Sequence, residues 1–133
     1  MTPDEARSRF AAARVARLAT VSAAGVPHLV PVTFAVRGDV VVFAVDHKPK
    51  SSVALRRLRN ISENPAVCFL ADGYSEDWSE LWWARADGVA RVLEPGAAPV
   101  SWLVEKYQQY RERPPEHAVV VTEVHTWRGW TGS

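Results

Sequence analysis

The sequence predicts a small, mainly β protein of the α+β class, with six antiparallel strands closed on themselves and about three helices packed at the ends. Three observations carry this prediction. The first three strand-like segments follow one another through tight turns with no helix between them, which disfavours a doubly wound α/β sheet. The segment Val40-Val41-Val42-Phe43-Ala44-Val45 is apolar on both faces, so something covers each side of it. Several of the strands are this short and this apolar, a pattern that suits a closed sheet. At 133 residues the chain has room for one domain, residues 1–133.

Taken in order, Thr2-Pro3-Asp4-Glu5 reads as a helix start: Thr2 as N-cap, Pro3 at the first helical position, Glu5 completing a capping box. Ala6, Phe10 and Ala13 then form a narrow apolar stripe. Val15 to Val21 is the first strand, and Ala23-Ala24-Gly25 turns the chain. Pro27 to Val36 is the second strand, and Arg37-Gly38-Asp39 makes the hairpin into the third, Val40 to Val45. A polar loop, Asp46 to Ser52, leads into a helix with Leu55, Leu58 and Ile61 on one face. Asn64-Pro65 stops that helix before a fourth strand, Ala66 to Ala71. An acidic loop, Asp72 to Glu80, precedes the fifth strand, Trp82 to Leu93. There Trp82, Ala84, Ala86, Gly88, Ala90 and Val92 face one way, and Arg85, Asp87 and Arg91 the other. Val100, Leu103, Val104 and Tyr107 mark a third helix, and Ala118 to Trp127 a sixth strand.

Composition excludes several functions. Sixteen basic against fifteen acidic residues give a net charge of +1, too balanced for a protein that lives on nucleic acid. No apolar run approaches the roughly 20 residues that span a bilayer. The acidic, polar stretch Met1 to Glu5 is unlike a signal peptide, so a cytoplasmic location is expected. The single cysteine, Cys68, rules out an internal disulfide; lying between Val67 and Phe69, it reads as a packing residue. His28, His47, His117 and His125 lack metal-ligand spacing, so no metal is expected. Nucleotide-binding glycine motifs and the G-x-S-x-G nucleophile elbow do not occur.

The strongest local signal is Lys48-Pro49-Lys50-Ser51-Ser52. Only three of the sixteen basic residues are lysines, and two of them sit here, just before a helix. A helix N-terminus carries partial positive charge and unpaired N–H donors. Two lysines beside it are unfavourable unless an anion joins them, and the segment therefore reads as a phosphate site as well as a solvated loop. The six tryptophans are the second signal. Trp102 suits a core position on the third helix, whereas Trp78, Trp127 and Trp130, near loops or the chain end, suit an interface or a planar ligand. The small face of the fifth strand and the outer face of the third would both be covered in a homodimer.

Arg17-Leu18-Ala19-Thr20-Val21, Gly25-Val26-Pro27-His28, Pro31-Val32-Thr33-Phe34, the lysine segment, Asn64-Pro65-Ala66-Val67 and Thr126-Trp127-Arg128-Gly129-Trp130 follow one another in a familiar order. In this the chain resembles the pyridoxamine 5'-phosphate oxidase-like family, in particular its small members that use the deazaflavin coenzyme F420. The resemblance implies a six-stranded antiparallel split β-barrel, the FMN-binding split barrel, assembled as a homodimer with cofactor sites at the subunit interface. It places the cofactor phosphate at Lys48, Lys50, Ser51 and Ser52 and the ring along Pro31, Val32 and Thr33. Trp78 would reach over from the partner subunit.

The activity implied is hydride transfer between F420 and a small electron-poor organic substrate, with no metal and no catalytic residue assigned; solvent or a tyrosine such as Tyr74 would supply a proton. FMN in place of F420 is the alternative cofactor, with extra positive charge at Arg56 and Arg57 favouring F420. A non-catalytic cofactor- or haem-binding module is a further alternative.

Overall fold

The computed structural model describes residues 1–45 and 52–133, with side chains from residue 56 onward in the second segment. Helix α1 (Pro3–Ala12) opens with the expected capping box. Glu5 N–H donates to Thr2 Oγ1, and Thr2 N–H donates to the Glu5 carboxylate, each at 3.2 Å. Strands β1 (Ala16–Val21), β2 (Pro27–Val32), β3 (Ala35–Arg37) and β4 (Val40–Ala44) follow. Then come α2 (Ser52–Glu63), β5 (Ala66–Gly73), a 3₁₀ turn at Trp78–Glu80, β6 (Trp82–Leu93), α3 (Val100–Lys106), α4 (Gln108–Glu112) and β7 (Val119–Thr131).

The seven strands among the described residues form one antiparallel sheet in the order β2-β1-β5-β6-β7-β4-β3. The two edge strands, β2 and β3, are consecutive in the chain and joined only by Thr33 and Phe34. The sheet therefore curls until its edges meet at that corner. This corrects the expected count of six strands, because the segment Pro27 to Val36 breaks in two.

The break has a physical cause. Phe34 is fully buried, its ring centroid 4.6 Å from that of Phe10. Its N–H donates to the Tyr107 hydroxyl at 3.1 Å instead of to a strand. That hydroxyl lies 3.0 Å from Phe34 O and 2.9 Å from Arg14 O, and its one proton serves these two acceptors. Tyr107 reaches the corner by taking an extended backbone, φ −116° and ψ 122°. The predicted third helix is thereby divided into α3 and α4, giving four helices among the described residues. Tyr110 adds a 2.9 Å hydroxyl contact to Thr33.

Two apolar clusters lie on the two sides of the sheet. The barrel interior holds Phe10, Leu18, Phe34, Phe43, Phe69, Ala84, Ala86, Ala90 and Trp127, with α1 inserting Phe10 and α2 contributing Ile61. The second cluster, Val42, Leu103, Tyr107, Tyr110, Val119 and Val121, covers the other face of β4. The chain's own α3 and α4 thus cover the outer side of that apolar strand, where a partner subunit was expected. The small face of β6 is likewise turned inward, with Ala84, Ala86 and Ala90 buried. A Cβ on the neighbouring Gly129 of β7 would collide with Met1 and Ala6 of the covering segment.

The strand ends also differ from expectation. Asp72 and Gly73 belong to β5, not to a loop, and β7 runs past Trp127 to Thr131. A β-bulge sets the phase of β7. Asp87 pairs with Thr126 and Gly88 with Val124, which leaves His125 as the extra residue. Val120, Thr122 and Val124 point inward before the bulge and Trp127 after it. The bulge is tied to the β3–β4 hairpin, since Val124 N–H donates to Asp39 O at 2.8 Å and Trp127 Nε1–H to Asp39 Oδ1 at 2.9 Å. No helix among the described residues is long and apolar enough to cross a membrane.

Candidate functional site

Pro31, Val32 and Thr33 lie at the end of β2, at the sheet corner. Val32 is buried in the barrel, while Pro31 and Thr33 are exposed on the outward face. Pro27 and Pro31 sit in an edge strand, where a missing N–H on the open side costs no ladder bond. Leu29, two-thirds exposed at 67%, and Val15 lie on the same side, and Leu70 follows across β1. Together they make an uncovered apolar shelf. Its charged groups are paired, Arg17 with Asp72 at 3.6 Å.

Lys48, Lys50 and Ser51 lie outside the described residues, and Ser52 is described only as the first backbone position of α2. Where α2 lies is clear. It packs against β1 and β6, and Asn60 Nδ2 donates to the buried Thr20 Oγ1 at 3.1 Å. The Arg57 guanidinium carbon stands 5.4 Å above the Phe43 ring, near the end of β4. Arg56 is exposed and lines, with His28, Arg59, Asn60 and Glu63, a cleft of about 370 Å³ beside the β1–β2 turn. The two arginines thus serve different surroundings.

Trp78 is 69% exposed in the 3₁₀ turn, and its carbonyl lies so close to Gly132 that a Cβ there would collide with it. It therefore belongs beside the end of β7. From β2 to β7 there are four strand spacings, about 19 Å along the sheet. Trp78 and the Pro31–Thr33 shelf are thus four strand positions apart in the sheet order.

A different group of residues converges next to Trp78. Leu70, Asp72, Gly73, Tyr74, Leu81, Trp82, Trp83, Arg85 and Trp130 line a cleft of about 380 Å³. Trp83 and Trp130 are directly opposed across β6 and β7. Gly73 is required here, because a Cβ would collide with the indole of Trp82 lying over it. Tyr74 is exposed and donates to the Glu76 carboxylate at 3.3 Å, which makes it a surface group. This cleft was missed at the sequence level. The alternation Trp127-Arg128-Gly129-Trp130, continued three residues past the expected strand end, is the signal that marks it.

Perturbed ionisations fall mostly at structural positions. Burial, with Arg14 adding to it, pushes the Lys106 ammonium down to about 8. Lys106 Nζ donates to Ala13 O at 2.7 Å and Ala11 O at 3.2 Å, capping the carbonyl end of α1, and stands 3.8 Å from the Phe34 ring centre. The bond from Trp127, then that from Arg7, holds the Asp39 carboxyl below its ordinary range. Cys68 is half-buried on the outward face of β5, more open than expected, and burial with the nearby Asp87 charge raises its thiol pKa. That leaves it a poor nucleophile at neutral pH. Among the described residues no three His, Cys, Asp or Glu side chains are grouped to hold a metal.

This architecture, a curled antiparallel sheet split at one corner and plugged by helices, defines a class of small β-barrel. The chain belongs to the pyridoxamine 5'-phosphate oxidase family, whose model matches residues 2–131. No curated protein matches it in sequence. In structure it is similar to the conserved hypothetical protein Rv2991 of Mycobacterium tuberculosis, with a TM-score of 0.75 and 23% identity over 99% of this chain and 86% of that one. It is similar to a FAD-binding protein of Mesorhizobium loti, with a TM-score of 0.73 and 17% identity over 97% and 92%. It is also similar to HutZ, the haem storage protein of Vibrio cholerae, with a TM-score of 0.66 and 17% identity over 98% and 95%. At such identities the likeness speaks to fold.

Proposed function

We propose that the chain is a flavin-type oxidoreductase that binds a phosphate-bearing tricyclic cofactor, with coenzyme F420 as the particular cofactor and FMN as the alternative. The observation that carries this reading is family membership across residues 2–131. The uncovered shelf of Leu29 and Pro31 and the helix that starts at Ser52 support it. Lys48, Lys50, Ser51 and Ser52 would hold the phosphate, and Pro31, Val32 and Thr33 would support the ring. Bound there, the cofactor supplies hydride transfer. The chain's part is to grip the anion, shield one ring face from water and leave the other open to a small electron-poor substrate. Trp78 joins this site only from a second copy of the chain, so the proposal includes a homodimer with shared sites.

The test is a titration of the purified protein with F420, FMN, FAD and haem, followed by absorbance and fluorescence. F420 is expected to bind most tightly. In a folded Lys48→Ala/Lys50→Ala variant its affinity should drop at least tenfold, about 1.4 kcal/mol. Unchanged affinity would remove the lysines from the site. Because HutZ shares the fold, tight haem binding with no flavin or deazaflavin binding would replace the enzyme reading with that of a haem-binding module.

A further inference from the structure

We infer that the cleft between α2 and the β1–β2 turn is a binding site for a small organic carboxylate with an apolar body. The inference goes beyond the cofactor reading and concerns a different surface. Side chains alternate along β2, so Leu29 and Pro31 stand on the outward shelf while His28, Val30 and Val32 turn to the opposite face. His28 is the cross-strand partner of the buried Thr20, which Asn60 of α2 contacts on that same opposite face. The cleft lies there, and its lining shares no residue with the shelf.

Both walls are fixed by the chain itself. On the helix side, Asn60 Nδ2 donates to Thr20 Oγ1 at 3.1 Å and anchors the turn of α2 that carries Arg56, Arg59 and Glu63. On the other side, Ser22 N–H donates to Val26 O at 3.0 Å, Gly25 N–H to Ser22 O at 2.9 Å and Val26 N–H to Ser22 Oγ at 3.1 Å. Gly25 closes this turn at φ +81°, a conformation that glycine adopts without strain. The turn presents Ala24, Val26 and Pro27 to the cleft, with Val26 58% exposed. Walls held in this way lose little conformational freedom when a ligand binds. The volume of about 370 Å³ lies within the range of small-molecule sites, roughly 300–1,000 Å³.

Charge then selects the ligand. Arg59 is paired with Glu63 at 3.1 Å. Among the described residues Arg56 has no ion-pair or hydrogen-bond partner, so it is the cation of the lining left without a counter-charge. His28 adds a donor. Its Nδ1 is buried with no partner, so a ligand can engage the ring only through Nε2. A buried unpaired acceptor is a lesser cost than a buried unpaired N–H, which puts the proton of the neutral ring on Nε2. A guanidinium and an N–H donor in one cleft suit a carboxylate, whose oxygens accept charge-assisted hydrogen bonds. The wall of Val26 and Pro27 takes an apolar substituent out of water. A neutral ligand would gain the wall without the charge-assisted bonds, and an ammonium ligand would be repelled by Arg56.

The test compares two probes of equal shape, benzoate and benzamide, binding to the full-length protein with no cofactor added. The His28 ring and Val26 methyl resonances report the location. Benzoate is expected to shift both sets of signals and to bind at least about tenfold more tightly than benzamide. Arg56→Gln, at an exposed helix position, should weaken benzoate by at least about tenfold and leave benzamide unchanged. Lys48→Ala/Lys50→Ala, the variant that tests the cofactor site, should leave benzoate binding as it is, so the two readings can fail separately. Absence of benzoate binding, equal binding of the two probes, unchanged affinity in Arg56→Gln, or shifts confined to other residues would overturn the inference. Displacement of benzoate by saturating F420 or FMN would overturn it too, by assigning the cleft to the cofactor.

Discussion

Replacing Tyr107 with phenylalanine removes one oxygen and leaves three backbone groups at the barrel corner without their partner. That oxygen accepts from Phe34 N–H at 3.1 Å and offers its proton to Phe34 O at 3.0 Å and Arg14 O at 2.9 Å. One hydroxyl proton serves one acceptor at a time, so two net hydrogen bonds are lost, each worth about 0.5–1.5 kcal/mol. The Phe34 N–H is then left buried and unsatisfied, a further cost of about 1–3 kcal/mol. Allowing for overlap between these contributions, the variant should lose about 2–4 kcal/mol. For a chain of this size that corresponds to a fall in Tm of about 6–20 °C. Urea unfolding is the assay, with the denaturant slope expected to stay constant because the surface exposed on unfolding is unchanged. Hydrogen exchange at the Phe34 amide should accelerate more than at the β6–β7 amides. A loss below about 0.5 kcal/mol would refute the account, since it would mean that the corner holds its bend without the tyrosine.

Lys106 has a folded-state pKa of about 8, below its unfolded value of 10.5. Between these values the unfolded chain binds more protons, so stability should rise with pH across that window; Lys106→Met should abolish the rise in thermal melts taken from pH 7 to 10.5. Asp39 has the opposite sense. Its lowered pKa gives stability that is present above the ordinary carboxylate range and lost as pH falls through the folded value, so Asp39→Asn should flatten the acid limb of a Tm-against-pH profile. The Thr122 hydroxyl is fully buried with no hydrogen-bond partner. Thr122→Val should therefore be neutral or stabilising, by up to about 1–3 kcal/mol in urea unfolding. Gly73→Ala drives a methyl group into the Trp82 indole and should cost about 1–3 kcal/mol, with a change in near-ultraviolet circular dichroism from the displaced ring.

Much of the fold is legible in local chemistry. The capping box of α1, the Gly38–Asp39 hairpin and the alternation of β6 all stand where residue type and spacing put them. What escapes is set by contacts between residues far apart in sequence. Nothing near Thr33 marks a strand break, because the group that makes one is the hydroxyl of Tyr107, 73 residues away from Phe34. The same tyrosine interrupts the third helix, and the periodicity of Val100, Leu103 and Val104 carries no sign of it. The β7 bulge was readable in principle, since Val124 and Trp127 both point inward although they are three residues apart, which simple alternation forbids. The apolar faces of β4 and β6 were read correctly as covered, but the cover comes from α3, α4 and α1 of the same chain.

That last point bears on how a site can be assembled. With β4 and β6 already covered, the surface left for a second copy is the outward face of β2, β1, β5, β6 and β7, where Leu29, Leu70 and Trp130 remain exposed. The shelf at Pro31 lies on one flank of that face and Trp78 beside the other, about 19 Å apart along the sheet. A two-fold axis through β5, the middle strand of this face, would lay the Trp78 flank of each copy over the Pro31 flank of its partner and make two equivalent sites. The arrangement ties oligomeric state to Trp78. In a dimer, Trp78→Ala should weaken cofactor binding while leaving the fold intact, whereas in a monomer the same substitution should have no effect. A monomeric protein that binds cofactor at full strength without Trp78 would show that the shelf and the lysine segment suffice, and would remove the shared site from the proposal.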